Sequence, residues 1–262
     1  MEKRNLKKNR LKNVNVLFAL FSLFFIFPAK GWAYELRVGF GQDKPPFVIG
    51  RTKAGLEIDI FREALAYKGH SMEVHHMPNK RLQIALLDKQ ALDAVATVRQ
   101  VSGDGLFYVD DFIYFDNYAI SKVEDNLEIN EVSDLIGLSV VTWQNAYRDL
   151  GPEFESIFQP APPEEYKSLY VEHVSQKSQN LMFWGARAEV IVIDKTIFGW
   201  YRQQLSEEID TTPEVTFHDL FSGKTYYQAA FKNEELARDF EEGLNYLKVT
   251  GRYAQLYNEY MQ

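Results

Sequence analysis

Three residues lie where predicted strands and helices meet and could hold a small charged molecule. Asp194 follows the buried strand predicted over 190–193, and Arg99 follows the strand predicted over 91–98. Ligands of open α/β sheets bind beyond the carboxyl ends of the strands. Asn145 stands at a predicted helix start, where free backbone N–H groups favour an anion. These positions therefore predict a ligand site at the ends of the strands, although the pattern alone does not name the ligand.

Each of these residues also has a purely structural interpretation, which the sequence leaves open. Asp194 could cap the helix predicted from Thr196, a frequent role for Asp. Arg99 could be a surface residue that pairs with Asp104. Asn145 could serve as an N-cap, and this role is compatible with anion binding because the same turn can do both.

The sequence predicts no catalytic residue, no metal site and no cofactor. The absence of cysteine excludes disulfides, thiolate zinc sites, Fe–S clusters and a cysteine nucleophile. His75 and His76 are adjacent on a predicted strand and point to opposite faces, so they cannot easily share an ion. Gly39 and Gly41 begin a dinucleotide-binding pattern, but Lys44 stands where the third glycine is needed.

Composition and charge favour an ordinary globular protein and argue against one that binds nucleic acid. The chain has 262 residues, 37 acidic and 29 basic, with a net charge of −8. Proteins that bind nucleic acid need surplus Lys and Arg, so no nucleic-acid partner is expected. Hydrophobic residues make up 46% and charged residues 25%, which is typical of a globular protein. The length suits one two-lobed unit or two small domains.

The first 33 residues predict a cleavable secretory signal. Six Lys and Arg residues precede an apolar run over 14–27, and small residues stand before a cut after Ala33. An uncleaved membrane anchor is the alternative, although the run is short for a membrane span. Without this segment the chain has 22 basic and 36 acidic residues, a net charge of −14. Export, an acidic composition and the absence of cysteine together predict a periplasmic location.

Hydrophobic periodicity predicts an α/β protein with two similar halves. The first half reads strand–helix–strand–helix–strand, which favours a parallel sheet with right-handed crossovers. Its predicted elements are strands over 35–40, 71–77 and 91–98, and helices over 56–67 and from Asn79. The second half repeats this order, with strands over 138–143 and 190–193 and helices over 174–184 and 196–205.

Two extended crossings are predicted to join the halves. One is the aromatic-rich stretch over 112–122, and the other leads into a strand over 224–231. The chain is therefore predicted to form two lobes with a cleft that closes by hinge motion. The predicted division is a signal peptide at 1–33, lobe 1 at 34–119, lobe 2 at 120–224, and a helical return to lobe 1 at 225–262.

Several short segments, in this order and spacing, resemble the family 3 extracellular solute-binding proteins. These are the polar amino-acid-binding proteins of bacterial ABC uptake systems. The resemblance covers nearly all of residues 34–262. The segments are Leu36-Arg37-Val38-Gly39, Pro45-Pro46-Phe47, Gly55 to Ile60, Asp134 to Val140, Ile191 to Asp194, and Gly251-Arg252-Tyr253. The resemblance implies a two-lobed, type II periplasmic-binding-protein fold. It also implies a protein that acts as a monomer.

Only some of the residues that bind the ligand in this family have a counterpart in this sequence. Asp194 matches the position that accepts the ligand ammonium, and Thr97 matches the end of the lobe 1 strand that contacts the ligand. Asn145 and Ala146 match the helix start that holds the ligand carboxylate. The family's Thr-x-x-Arg clamp is missing, and Arg99 is the candidate substitute from a neighbouring position.

Two further positions concern the cleft wall. Lys44 stands where the family has an aromatic residue before Pro-Phe, and in a proline-rich loop we expect this lysine to be solvated. Phe40 ends the first strand and is included among the ligand-binding candidates as core or cleft wall.

The resemblance implies a protein that binds without catalysis. We expect it to capture an amino acid or a related zwitterion, with Asp194 at the ammonium and Arg99 with the Asn145 helix start at the carboxylate. An inner-membrane ABC permease would read the closed form through a population shift. Two alternatives stay open: a ligand-sensing module for a receptor kinase, and a dehydratase on the same scaffold.

Overall fold

The computed structural model describes residues 33–41, 43–50, 52–88, 91–160, 169–221 and 223–260. The predicted signal segment up to residue 32 lies outside these residues. Within the described ranges, no helix combines the length and the apolar character that a membrane crossing requires.

The first lobe is built on a five-stranded mixed sheet, ordered β2-β1-β3-β10-β4. β1 pairs in parallel with β2 and β3, whereas β10 pairs antiparallel with β3 and β4. The strands are β1 Glu35–Phe40, β2 Ser71–His76, β3 Ala94–Val98, β4 Phe107–Phe115 and β10 Thr225–Phe231. Helices α1 (Leu56–Ala66) and α2 (Asn79–Leu87) form the crossovers, so the predicted strand–helix alternation is confirmed.

The second lobe has a sheet of the same kind, ordered β7-β6-β8-β5-β9. β6 is parallel to β7 and β8, and β5 is antiparallel to β8 and β9. The strands are β5 Asn117–Lys122, β6 Val140–Trp143, β7 Tyr170–His173, β8 Val190–Asp194 and β9 Val215–His218. The helices are α3 Pro152–Phe158, α4 Gln176–Trp184 and α5 Lys195–Gln204.

Two crossings join the sheets and are tied to each other. The first passes through Asp116, between β4 and β5, and the second runs from β9 to β10. The Asn117 side-chain amide donates a hydrogen bond to Thr225 Oγ1 over 3.1 Å. Both residues are buried, so this bond fixes the two crossings side by side.

The last two helices, α6 (Glu234–Val249) and α7 (Arg252–Tyr260), pack on the first lobe. Phe240 of α6 lies 4.3 Å from Phe61 of α1, measured between ring centroids. The backbones approach closely at Gly243, where an added Cβ atom would lie 2.0 Å from the Ala64 carbonyl oxygen. The glycine allows α6 to cover the apolar face of α1.

Two differences between the structure and the sequence-based prediction affect the surroundings of the second sheet. The stretch over 112–122 is not one extended crossing: it breaks at Asp116, and residues 117–122 form β5 of the second sheet. The helix expected from Asn145 is a single 3₁₀ turn over Ala146–Arg148. Asn145 has a left-handed backbone with φ 64°, and a new helix, α3, begins at Pro152. Proline favours a first helical position, which explains the restart there.

Candidate functional site

A cavity of about 770 Å³ lies between the lobes. It is bordered by the carboxyl ends of β3, β6 and β8, where ligands of open α/β sheets bind. Residues from both sheets line it, among them Lys44, Thr97, Arg99, Phe115, Trp143, Asn145, Asp149, Gln176, Asp194 and Tyr227. The volume lies within the range of small-molecule sites, roughly 300–1,000 Å³.

Asp194 lines the cavity and also caps α5. Its Oδ1 accepts hydrogen bonds from the N–H groups of Thr196 over 2.8 Å and Ile197 over 3.1 Å. Its Oδ2 accepts a hydrogen bond from the N–H of Asp116 over 2.7 Å. Burial raises the pKa of Asp194 to about 6, although the three N–H donors favour the ionised form. An ionised carboxylate has about four acceptor sites, so one remains for a further donor such as an ammonium group.

Arg99 pairs with a carboxylate of the other lobe. Its Nε donates to Asp149 Oδ1 over 3.1 Å, and its Nη1 donates to the Tyr226 carbonyl over 2.9 Å. Its guanidinium lies 4.3 Å from the ring centroid of Tyr227. The suggested pairing with Asp104 is not formed, because Asp104 accepts instead from donors in the first lobe, among them Gln83. Asp149 was missed by the sequence analysis.

Asp149 accepts hydrogen bonds from side chains of both lobes. Its Oδ2 accepts hydrogen bonds from the Tyr227 hydroxyl over 2.6 Å and from Trp143 Nε1 over 3.4 Å. Tyr227 and Arg99 belong to the first lobe, whereas Trp143 and Asp149 belong to the second. No local pattern predicts this residue, since its first-lobe partners Arg99 and Tyr227 are 50 and 78 positions away in sequence.

Asn145 and Ala146 do not form the expected anion-binding helix start. The N–H of Asn145 donates to Glu172 Oε2 over 2.9 Å, although Asn145 still lines the cavity. Ala146 is fully buried in the core of the second lobe and packs near Phe154. A 3₁₀ turn of three residues has little dipole, so it favours an anion less than the start of a long helix does.

Thr97 reaches the cavity, but Phe40 does not line it. Thr97 is the second-last residue of β3, has a positive φ of 57° and donates its hydroxyl hydrogen to the Glu57 carboxylate. A positive φ is uncommon for a β-branched residue. Phe40 is fully buried and packs edge-to-face on Phe61, with ring centroids 5.6 Å apart. The structure therefore places Phe40 in the core of the first lobe.

Lys44 is buried in the cavity wall, contrary to the expectation that it would be solvated. Its Nζ lies 2.9 Å from Glu57 Oε2 and 4.9 Å from the ring centroid of Phe115. The loop folds back on the start of α1, because Leu56 N–H donates to Pro46 O. This return carries Lys44 to Glu57, whose carboxylate would otherwise be a buried unpaired charge.

Several solved structures are similar to this chain in fold. The GluR0 ligand-binding core in complex with L-glutamate has a TM-score of 0.70 at 14% identity, and the match covers 88% of this chain and 100% of that chain. A histidine kinase sensor domain with similarity to periplasmic binding proteins has a TM-score of 0.69 at 14% identity, covering 87% and 96%. The arginine-, lysine-, histidine-binding protein ArtJ from Geobacillus stearothermophilus has a TM-score of 0.66 at 15% identity, covering 86% and 94%.

The chain has a two-lobed periplasmic-binding-protein-like fold. At identities of 14 and 15% these likenesses show the fold alone. No protein-family model matches the chain, and no curated protein matches it significantly.

Within this periplasmic-binding-protein-like fold, several charged side chains around the cavity already have partners in the protein. Lys44 pairs with Glu57, Arg99 pairs with Asp149, and Asp194 is satisfied by backbone N–H groups. Electrostatic interactions in a dry cleft are stronger than in water. Such a preorganised arrangement suits the binding of a charged or polar small molecule.

Proposed function

We propose that the chain is a periplasmic solute-binding protein of the family 3, polar amino-acid-binding type. It captures an amino acid or a related zwitterion in the cleft between the lobes. The observation that carries this proposal is the cavity itself, which both sheets line with strand-end residues including Thr97 and Asp194. Ligands of α/β sheets bind at this place.

Two charged residues give the solute its orientation in this proposal. Asp194 accepts a hydrogen bond from the solute ammonium through its remaining acceptor capacity. Arg99 donates to the solute carboxylate, and a guanidinium suits the planar geometry of that group. Thr97 offers the acceptor side of its hydroxyl oxygen, since the hydrogen is donated to Glu57.

Export and delivery complete the proposal. Residues 1–33 direct the chain to the periplasm and are removed after Ala33. The protein then works as a monomer that delivers its solute to an inner-membrane ABC permease. The family resemblance of residues 34–262 supports this role.

We further propose that the solute is bound without chemical conversion. A general acid must deliver its proton to the substrate, but both oxygens of Asp194 and both oxygens of Asp149 are engaged by donors of the chain itself. A protonated Asp194 would lose part of its cap on α5. Turnover of a cyclic acid of the arogenate type by the purified protein would support the dehydratase alternative instead.

A thermal-shift screen tests the proposed function. The purified protein is heated with single amino acids, polyamines or organic acids, and a solute that binds the native state raises the melting temperature by mass action. At a concentration 100 times the dissociation constant the stabilisation is about 2.7 kcal/mol. If organic acids or polyamines stabilise the protein and no amino acid does, the proposed solute class is wrong.

A sensory role is the second candidate, and the fold shared with a histidine kinase sensor domain favours it. Deleting the gene separates the two roles. Loss of uptake of the radiolabelled solute supports delivery to a permease. Normal uptake with a lost transcriptional response to the solute supports a sensor.

A further inference from the structure

The contacts at Asp149 join the two lobes through the chain's own side chains. Arg99 and Tyr227 of the first lobe both donate to this carboxylate, over 3.1 Å and 2.6 Å. We call these three residues the interlobe latch. The bonds need no solute, because donor and acceptor both belong to the protein.

The two donors contribute unequally. The side chain of Arg99 is 47% exposed, so its ion pair with Asp149 is weakened by water and salt. Asp149 is only 13% exposed, and its bond from Tyr227 is a short hydrogen bond to an ionised acceptor. Burial and the nearby Asp149 charge raise the pKa of Tyr227 well above its ordinary value, so the hydroxyl keeps the hydrogen that it donates.

The latch also engages Arg99, the residue proposed to bind the solute carboxylate. The carboxylate of Asp149 lies against the Arg99 guanidinium as a solute carboxylate would. Trp143 Nε1 holds Asp149 from its own lobe over 3.4 Å. Opening of the cleft must separate Asp149 from Arg99 and Tyr227, since Asp149 belongs to the second lobe and its two donors belong to the first.

We propose that Asp149 acts as an internal carboxylate ligand that keeps the cleft closed in the solute-free protein. This second proposal rests on the proposed function in one respect. It requires that the carboxylate of a bound solute replaces Asp149 beside Arg99. Asp149 thereby sets a threshold for binding, because a solute has to bind better than the side chain that it displaces.

The absence of cysteine allows a direct test on the full chain. Arg81 in α2 and Glu153 in α3 are exposed and lie in different lobes. Spin labels on an Arg81→Cys, Glu153→Cys background report the interlobe distance by pulsed electron paramagnetic resonance. We expect one short distance in the parent protein and an added population at longer distances in Asp149→Asn.

Two further variants keep the test decisive. Tyr227→Phe removes one donor to Asp149 but no charge, and it should also populate longer distances. Asp104→Asn is the matched control, because the partners of Asp104 among the described residues, such as Gln83, lie in its own lobe. If Asp149→Asn fails to fold, Tyr227→Phe carries the test. Interlobe distances in Asp149→Asn and Tyr227→Phe that equal those of Asp104→Asn would overturn the latch.

The thermal-shift screen is run separately on the same variants and keeps the two proposals apart. Lengthened distances without stabilisation by any amino acid support the latch and contradict the proposed function. Unchanged distances with a retained response to an amino acid contradict the latch alone.

Discussion

Lys44 and Glu57 form an ion pair in the wall of the interlobe cavity, with Nζ 2.9 Å from Oε2. Their side chains are only 9% and 0% exposed. The Lys44 ammonium also lies over the ring of Phe115, next to the crossing between the lobes. This pair therefore connects the proline-rich loop, the start of α1 and the hinge.

Lys44→Met should destabilise the protein strongly, because the buried Glu57 carboxylate would keep the neutral Thr97 hydroxyl as a donor but lose the positive charge that pairs with it. Breaking a buried pair in this way costs about 3–5 kcal/mol. The double variant Lys44→Met, Glu57→Gln should recover most of this loss, since no buried charge remains. Urea unfolding measures the free energy of unfolding of each variant.

The exposed pair between Lys177 and Glu208 is the matched control, with side chains 47% and 52% exposed. Lys177→Met should change the free energy of unfolding by less than about 1 kcal/mol. Equal effects of Lys44→Met and Lys177→Met would show that the Lys44 pair is not buried in solution.

The stability of the protein should fall as the pH rises through the pKa of Asp194. Burial raises this pKa from 3.8 to about 6 in the folded protein. The folded state therefore holds the proton more tightly than the unfolded state, and this stabilisation is complete only below pH 3.8. It is lost between pH 3.8 and about 6, and the total change is about 3 kcal/mol.

Asp194→Asn isolates this effect, because asparagine can cap a helix but does not titrate. Urea unfolding from pH 4 to pH 8 should show the parent protein losing stability relative to Asp194→Asn as the pH rises. A difference between the two proteins that stays constant over this range would mean that Asp194 is solvated.

Gly243→Ala should destabilise the packing of α6 on α1. The new Cβ atom would lie 2.0 Å from the Ala64 carbonyl oxygen, so one helix must shift. Overpacking of this kind costs about 1–3 kcal/mol. Gly199→Ala in α5 is the control, since its Cβ would meet nothing within 4 Å.

In Gly199→Ala the higher helix propensity of alanine should stabilise the protein by about 0.5–1 kcal/mol. Thermal unfolding of the two variants should therefore give melting temperatures that move in opposite directions. A stabilising Gly243→Ala would contradict the close contact of α6 with α1.

The sequence predicted those features of the site that depend on local patterns. Alternating and continuous apolar runs mark the strands, so the positions of Thr97 and Asp194 at strand ends could be found by counting. The same patterns did not reveal that the stretch over 112–122 consists of two strands. Apolar and aromatic residues continue on both sides of the break at Asp116.

The pairing of the charged residues could not be predicted in the same way. Arg99 and Asp149 are separated by 50 positions, and only the relative placement of two sheets brings them together. Lys44 was expected to be solvated because a proline-rich loop is usually exposed. Its burial follows from the hydrogen bonds that fold the loop onto α1, which are tertiary contacts.

The most direct test of the account is the affinity of Asp194→Ala for the amino acid that stabilises the parent protein best. Asn233→Ala is the control, because Asn233 caps α6 through Leu236 N–H as Asp194 caps α5. Isothermal titration calorimetry on folded protein measures both variants. We expect Asp194→Ala to lose at least tenfold in affinity, or about 1.4 kcal/mol, while Asn233→Ala binds like the parent. Parent-like binding by Asp194→Ala would contradict the role of this carboxylate in holding the solute.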